Sequence, residues 1–586
     1  MINSLKGAFW KNLRRSRTYG ISLLGRKKLR IGVLSSDPWQ GNLHYGEAIL
    51  LGDLRLDNRR FTSSDLLTAI EKPQSSYDPV AAYMQSFMFL YDLSAISGNA
   101  GRKRARQLIE QWIRSHHSWA HKSWNSFAWK PGLIGLRLSV WLSLYDFYAS
   151  TADDDFKRLL VTSFDKQLRY LRRHWSEEKD DLHKFWALKG VILGEALRGN
   201  DSKNERLSYL VEAFIRLIQN QLLPDGGHIS RSPLLHWRFL RDLIDVRTSL
   251  RSYTHIDIDN KLEVAEKSLQ QYIQKMTPLL RLLRHGDGEL ATFDGKISLF
   301  VRGLCFGVTA EAVDSVLTLT DAETTRPPQR APESGYERCT SRNSVVLINT
   351  YPGSNCNTSF FNSDDVSFEP SLEMLNIEWS FGRYRFIRKG DVVIKRASDS
   401  SHQQNSQEDW ITNLNPEKLH LVIKRHNKEG HNYIVFDAEY VDKHISFQWQ
   451  RHIYVSPKGA ELRGQDTFRL SHDATIGIRF EVNPDFTMQG EGEKIYLTLQ
   501  PDKKNRQGNK HDNVYERLHV TAQNKSKRSK NAEPEQWFFR SIGSDEVLTT
   551  LSNEENRTLL LMKQCEANRS YTFKWSFSQT SGVSDI

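Results

Sequence analysis

This chain has little of what builds covalent or metal-held scaffolds. Its four cysteines, Cys305, Cys339, Cys356 and Cys565, stand far apart without CxxC spacing, which argues against a disulfide framework and against a zinc knot. No apolar run is long enough to span a bilayer, and the basic residues 1–30 lack the apolar stretch of a signal peptide. A cytoplasmic location is the simplest reading, with periplasmic or membrane-surface association left open. Leu5, Phe9, Trp10 and Leu13 could line one face of a first helix, for packing or for a membrane surface. Also absent are a P-loop, a Rossmann glycine fingerprint, an HExxH pair and a Gly-x-Ser-x-Gly elbow. Their absence removes any positional support for nucleotide, zincin or serine-nucleophile chemistry.

What is present describes a globular protein of two domains. At 586 residues the chain exceeds one ordinary core, and 39% hydrophobic with 26% charged residues is not the balance of a disordered segment. The net charge of +11 suits an anionic partner, although basic proteins without one are common. We expect an acidic polysaccharide rather than nucleic acid. The basic run from Lys503 to Lys530 is the feature a nucleic acid would use, and it reads more simply as a solvated loop.

The hydrophobic period divides the chain. From Asp78 to Leu283, apolar residues recur at helical spacing, as in Ala105, Leu108, Ile109, Trp112 and Ile113. A long series of helices joined by short loops predicts an incomplete α/α toroid. Its many tryptophans, Trp119, Trp124 and Trp129 among them, fit core packing better than sugar platforms in most cases. After the proline-rich Thr324 to Tyr336, short runs such as Ser344 to Asn349, Leu375 to Trp379 and Thr475 to Val482 predict an antiparallel β-sandwich. The expected layout is a basic segment 1–30, a toroid 31–323, a linker 324–336 and a sandwich 337–586.

One loop concentrates the polar chemistry. Leu223 to His236 reads LPDGGHISRSPLLH: a tight Asp225-Gly226-Gly227 turn, a polar stretch, then Pro233 at a helix start. His228 and His236 flank it, and Arg231 could hold a carboxylate through its fork of donors.

This stretch resembles the signature loop of the heparinase II/III-like superfamily of polysaccharide lyases, Asp-Gly-Gly-x-x-x-x-Ser-Pro-x-Tyr-His. Further pieces resemble the family in order and spacing. They include Trp129-Lys130-Pro131 with Arg137, His285-Gly286-Asp287-Gly288, Ser334-Gly335-Tyr336, Val366 to Glu369, Leu462 to Asp466 and Arg479-Phe480. The resemblance is nearest to an alphaproteobacterial-type branch with degenerate catalytic residues. It implies a toroid followed by a sandwich, and β-elimination on a uronic acid. In that reaction a base takes the C5 proton and an acid protonates the leaving O4.

Several family positions are changed. Leu235 stands at the expected tyrosine, Phe360 and Asn362 at a His-Ala-His pair, Trp449 at a strand histidine, and Glu481 and Asn483 at two more. The zinc that some members hold is therefore not expected, nor is any cofactor. The imidazoles carried forward as catalytic candidates are His236, His228, His183 and His402, with His285 near them; each fits a structural role equally well. Substrate-binding candidates are Arg231, Arg137, Asp225 and Trp129, and Arg137 equally fits a tie between helices. Tyr336 and Tyr145 are candidate replacements for the tyrosine. The resemblance thus implies a polysaccharide lyase-like protein, with a catalytically inactive glycan binder or cell-envelope factor as the alternative.

Overall fold

The computed structural model describes residues 17–23, 39–56, 59–72, 78–117, 127–197, 204–254, 260–293, 298–323, 325–351, 371–396, 416–428, 430–442, 446–491, 494–499, 536–541, 547–552 and 557–580. Leu5, Phe9, Trp10, Leu13, Trp119, Trp124, Cys356, Phe360, Asn362, Val366 to Glu369, His402 and the run from Lys503 to Lys530 lie outside these residues. The chain divides into two compact units. One comprises Met1–Arg284 and Gly288–Ser334, the other His285–Asp287 and Gly335–Ile586. Among the described residues no helix is long and apolar enough to cross a membrane.

The first unit is helical, the toroid of the expected architecture. Its principal helices are α1 (Pro79–Ser86), α2 (Ala100–His117), α3 (Pro131–Ser143), α4 (Asp154–His174), α5 (Asp181–Ala196), α6 (Asn204–Gln221), α7 (Pro233–Thr254) and α8 (Asn260–Leu282). Local sequence explains their ends. In α4, Asp153 caps the Phe156 N–H, Asp154 and Asp155 sit in the first turn, and Arg172, Arg173 and His174 in the last. One face of α4 then buries Phe156, Leu160, Phe164, Leu168 and Leu171. By contrast α3 and α5 are buried almost all round, which places them inside the layer of helices. They cross where Gly135 meets Gly190. A Cβ on Gly135 would fall 2.1 Å from the Trp186 carbonyl oxygen, so only glycine permits this approach. That crossing brings the starts of α3 and α5 together and seats His183 against Gly132.

The second unit is a sandwich of two antiparallel sheets, eight-stranded among the described residues. In one sheet, Ser446–Val455 pairs with His431–Val441 and Glu461–Leu470, and the last of these with Ser570–Gln579. In the other, Ala474–Val482 pairs with Tyr384–Arg396 and Arg557–Cys565, and Ser371–Phe381 lies beside Tyr384–Arg396. Strand alternation turns Phe447, Trp449, Ile453 and Val455 inward, where they meet Trp379, Phe480, Trp575 and Phe577. The alternation also buries Arg451, fully enclosed with Asp466; Nε lies 2.5 Å from Oδ1. Asp466 also accepts from the indoles of Trp449 and Trp575, and Arg451 donates to the Leu375 carbonyl, so the pair is saturated with hydrogen bonds.

Candidate functional site

The Leu223–His236 loop closes by backbone hydrogen bonds. Leu223 N–H donates to the Gly227 carbonyl at 2.7 Å, and Gly226, at φ 88°, donates to Leu223. Asp225 is committed to the protein: Oδ1 accepts from Gly227 N–H and from Ser334 Oγ, and Oδ2 from Ser334 N–H, both Ser334 bonds at 2.7 Å. Gly227 packs so tightly on Ser334 that a Cβ there would lie 1.8 Å from Oγ. Asp225 was expected at the substrate, and these are the partners the structure gives it. Its carboxylate ties this turn to the Ser334 segment.

His228 and His236 are buried, at 3% and 1% exposure. Nδ1 of His228 accepts from Ser230 N–H at 3.1 Å, which puts the ring proton on Nε2. Nε2 of His236 donates to the Met276 carbonyl at 3.1 Å, which leaves Nδ1 as an acceptor. His228 Nε2 and His236 Nδ1 have no hydrogen-bond partner. Burial pushes His228 down to about 3 and His236 to about 4, the second eased by its Met276 bond and by Asp225. Both rings are neutral at pH 7 and enclosed, which counts against either as the proton carrier. Leu235 is also core, 2% exposed.

Arg231 differs. It is partly exposed, with φ 53° in the left-handed region that a non-glycine residue rarely adopts. Its Nε and Nη1 reach the Glu333 and Ile229 carbonyls at 3.3 and 3.4 Å, both long contacts. His183 is also partly exposed. Asp180 caps its N–H at 2.9 Å, and its ring packs 4.9 Å from Phe300 and 5.5 Å from Trp186. Burial lowers its pKa, while Asp180 and Glu178 oppose the shift and Lys130 adds to it.

Arg137 is fully enclosed, its guanidinium 4.1 Å over Trp112. Nε, Nη1 and Nη2 donate to Gln85 O, Gln167 Oε1 and Ala128 O, so the arginine ties helices and is not a substrate clamp. Trp129 is 5% exposed, edge-on to Tyr170, and no open platform; it lines a cavity between α2 and α4. Tyr336 is buried in a strand, while Tyr145 is partly exposed with its pKa raised by burial and Asp146.

The sandwich holds polar groups that sequence reading passed over. On the face of Ser371–Phe381 opposite the core, Glu378 accepts from His285 Nε2 at 3.0 Å, and Ser380 Oγ lies 3.1 Å from Nδ1. Arg385 approaches Glu378 at 3.5 Å and Asp287 at 3.2 Å. Farther along, Asp391 forms a buried two-point pair with Arg479, and Lys389 lies 3.3 Å away. His285 was expected among the toroid imidazoles; it groups with the sandwich. Burial and Arg385 hold it well below the usual imidazole range. Glu481 stands beside this row, its pKa raised by burial against the pull of Lys389. The alternation of Asn376, Glu378 and Ser380 with Leu375, Ile377 and Trp379 was the signal available in the sequence.

Of the family's zinc positions, Phe360 and Asn362 lie outside the described residues. Trp449 faces the core with its N–H on Asp466, and no group of three His, Cys, Asp or Glu among the described residues could hold a metal ion.

Residues 323–559 match the family described as Heparinase II/III-like, C-terminal. A crystal structure of heparinase III superposes with a TM-score of 0.53 and 11% identity, over 98% of this chain and 90% of that one. A heparan sulfate lyase HepC mutant from Pedobacter heparinus aligns over 97% of this chain and 88% of its own, at 11% identity and a TM-score of 0.47. FtsZ-localized protein C of Caulobacter vibrioides is 25% identical over 319 residues, 54% of this chain. The chain covers 50% of that relative's length. Residues 323–559 therefore resemble the C-terminal domain of the heparinase II/III-like proteins, and the chain as a whole shares the fold of heparinase III.

Proposed function

We propose that this protein is a polysaccharide lyase-like protein that takes a uronic-acid-containing glycan and acts on it by β-elimination. His183 is the observation that carries the reading. It keeps a partly exposed ring, where His228 and His236 are enclosed, and its lowered pKa leaves the imidazole neutral and able to accept a proton. In this reading His183 removes the C5 proton of the uronate. Arg231, posed by its left-handed backbone, pairs with the carboxylate and stabilises the charge that develops as the proton leaves. The C4–O4 bond then breaks as the 4,5 double bond forms, and the departing O4 takes a proton from solvent water.

A second reading has its own support. Leu235 and Trp449 are core residues at positions where the family has tyrosine and histidine, and the loop imidazoles are sealed. A protein that binds an anionic glycan without cleaving it, or serves the cell envelope, accounts for retained packing beside lost proton-transfer groups. The relative named for localisation with FtsZ fits that reading.

The test is ultraviolet absorbance of the unsaturated product during incubation with a panel of uronate glycans. A rise that is lost in both His183→Ala and Arg231→Ala, and kept in His228→Phe, supports elimination as described. A flat trace with saturable glycan binding moves the protein to the second reading. A flat trace without binding overturns both.

A further inference from the structure

The core of the helical unit holds a carboxyl and a guanidinium that lie near one another without being bonded. Asp92, in the helix Phe89–Ser94, is 4% exposed, and Arg241, in α7, is 6% exposed. Asp92 Oδ1 accepts from the Asn42 N–H at 2.7 Å, and Oδ2 accepts from the Tyr83 hydroxyl. Neither donor is a cation. The Arg241 guanidinium sits among rings, 4.2 Å from the Tyr91 centroid, 5.0 Å from Trp39 and 5.8 Å from Trp237. Its Nε and Nη2 have no hydrogen-bond partner. Those two nitrogens form the edge that Arg451 turns to Asp466, and Arg479 to Asp391.

Two other acids of α7 have partners of their own. Asp242 holds Arg238 and Lys189, and Asp245 holds Lys189 and the Trp39 indole. The groups facing Asp92 are Tyr83 from α1, Tyr45 from the helix Leu43–Leu51 and Arg241 from α7. α2 also packs on Phe89–Ser94, and turns Gly101 to the Leu93 carbonyl. Burial carries the Asp92 carboxyl up to about 7, against the pull of Tyr83, Asn42 and Arg241. What Asp92 fastens is the segment Trp39–Leu51. The Asn42 side chain caps the helix Leu43–Leu51, accepting from the Tyr45 N–H at 3.2 Å. Glycines seat this segment closely: a Cβ on Gly41 would lie 2.0 Å from the Tyr91 carbonyl oxygen, and one on Gly46 2.3 Å from that of Asp92.

We propose that Asp92 and Arg241 form a pH-sensitive latch on the segment Trp39–Leu51. Protonated, Asp92 stays with Asn42 and Tyr83, and the segment is held. Ionised, with its proton given to solvent water, Asp92 turns to the free edge of Arg241 and lets the Asn42 N–H go. A buried carboxylate is poorly served by two neutral donors, whereas a guanidinium meets it at two points. The folded carboxyl titrates above a solvated one. The hold of the protonated form is therefore complete at low pH and is lost as pH rises through about 7. The latch requires no elimination and stands or falls apart from the lyase reading.

Hydrogen exchange of the Leu43–Leu51 amides in the full chain, corrected for the intrinsic rate at each pH, tests it. We expect their opening to rise about tenfold between about pH 6 and pH 8, the span over which the held carboxyl ionises. Asp92→Asn keeps an acceptor for the Asn42 N–H and has no proton to lose, so its opening should be flat over that range. Arg241→Met leaves the ionised carboxyl without a countercharge inside the core. Its opening should rise more steeply, by up to about a hundredfold over the same range. A wild-type chain without the rise overturns the proposal, as does a rise that persists in Asp92→Asn. An Arg241→Met profile parallel to the wild type also overturns it, because the guanidinium is then no partner of Asp92.

Discussion

The Leu223–His236 loop and the polar face of the sandwich sheet treat buried ionisable groups in opposite ways. In the loop, His228 and His236 meet backbone and hydroxyl partners, and desolvation leaves both neutral. On the sheet, Asp391 meets Arg479 directly across the ladder, and the register itself delivers the countercharge. In the loop each neutral ring keeps a hydrogen bond on one nitrogen, His228 to Ser230 nearby and His236 to the Met276 carbonyl, and leaves its other nitrogen without one. The sheet brings residues 88 positions apart in the chain, and so can seal charges in as pairs. A loop that looks catalytic can therefore be structural, while ordinary strands carry the buried charge.

The largest expected effect tests the sheet. Asp391→Ala removes the two-point partner of Arg479 and should cost about 3–5 kcal/mol in urea unfolding, against well under about 1 kcal/mol if the pair is incidental. The next concerns the loop. The folded pKa of His228, about 3, lies below the ordinary imidazole value. The unfolded chain therefore binds the proton first as pH falls, and stability is lost from about pH 6.5 downward, by roughly 2 kcal/mol at pH 5. His228→Phe should flatten the acid side of the stability profile by that amount; an unchanged profile would mean the ring is solvated and titrates normally. A smaller effect is expected for Ser334→Ala, which removes the hydroxyl bond to Asp225 and keeps the backbone one. About 1 kcal/mol should be lost in thermal melts. Least of all, Arg231→Ala should shift stability by no more than about 0.5 kcal/mol while weakening uronate glycan binding, as measured by glycan titration. A large loss of stability there would make Arg231 another scaffold group and erase its contrast with Asp225.

Much of the architecture was legible in the chain. Helical spacing up to Leu283, and short alternating runs after the proline-rich segment, announce the two kinds of unit, because burial of one face imposes its period directly on the sequence. The candidate site was far less legible. Asp225, His228 and Arg137 are residue types that catalysis favours, and nothing local distinguishes them from Arg231 or His183. The distinction lies in partners distant in sequence: Ser334 for Asp225, Met276 for His236, Gln85 and Gln167 for Arg137. Glu378 and Asp391 went unnoticed because a lone acid on a strand reads as a solvated position until His285, Arg385 and Arg479 arrive beside it.

The sequence by itself determined which segments are helices and which are strands, and the resemblance of its loop to a lyase signature, since periodicity and turn chemistry are written in neighbouring residues. Tertiary structure alone decided which polar side chains are sealed, which keep a charge and which still meet solvent. Those outcomes follow from desolvation and countercharge, and both are set by residues far apart in the chain.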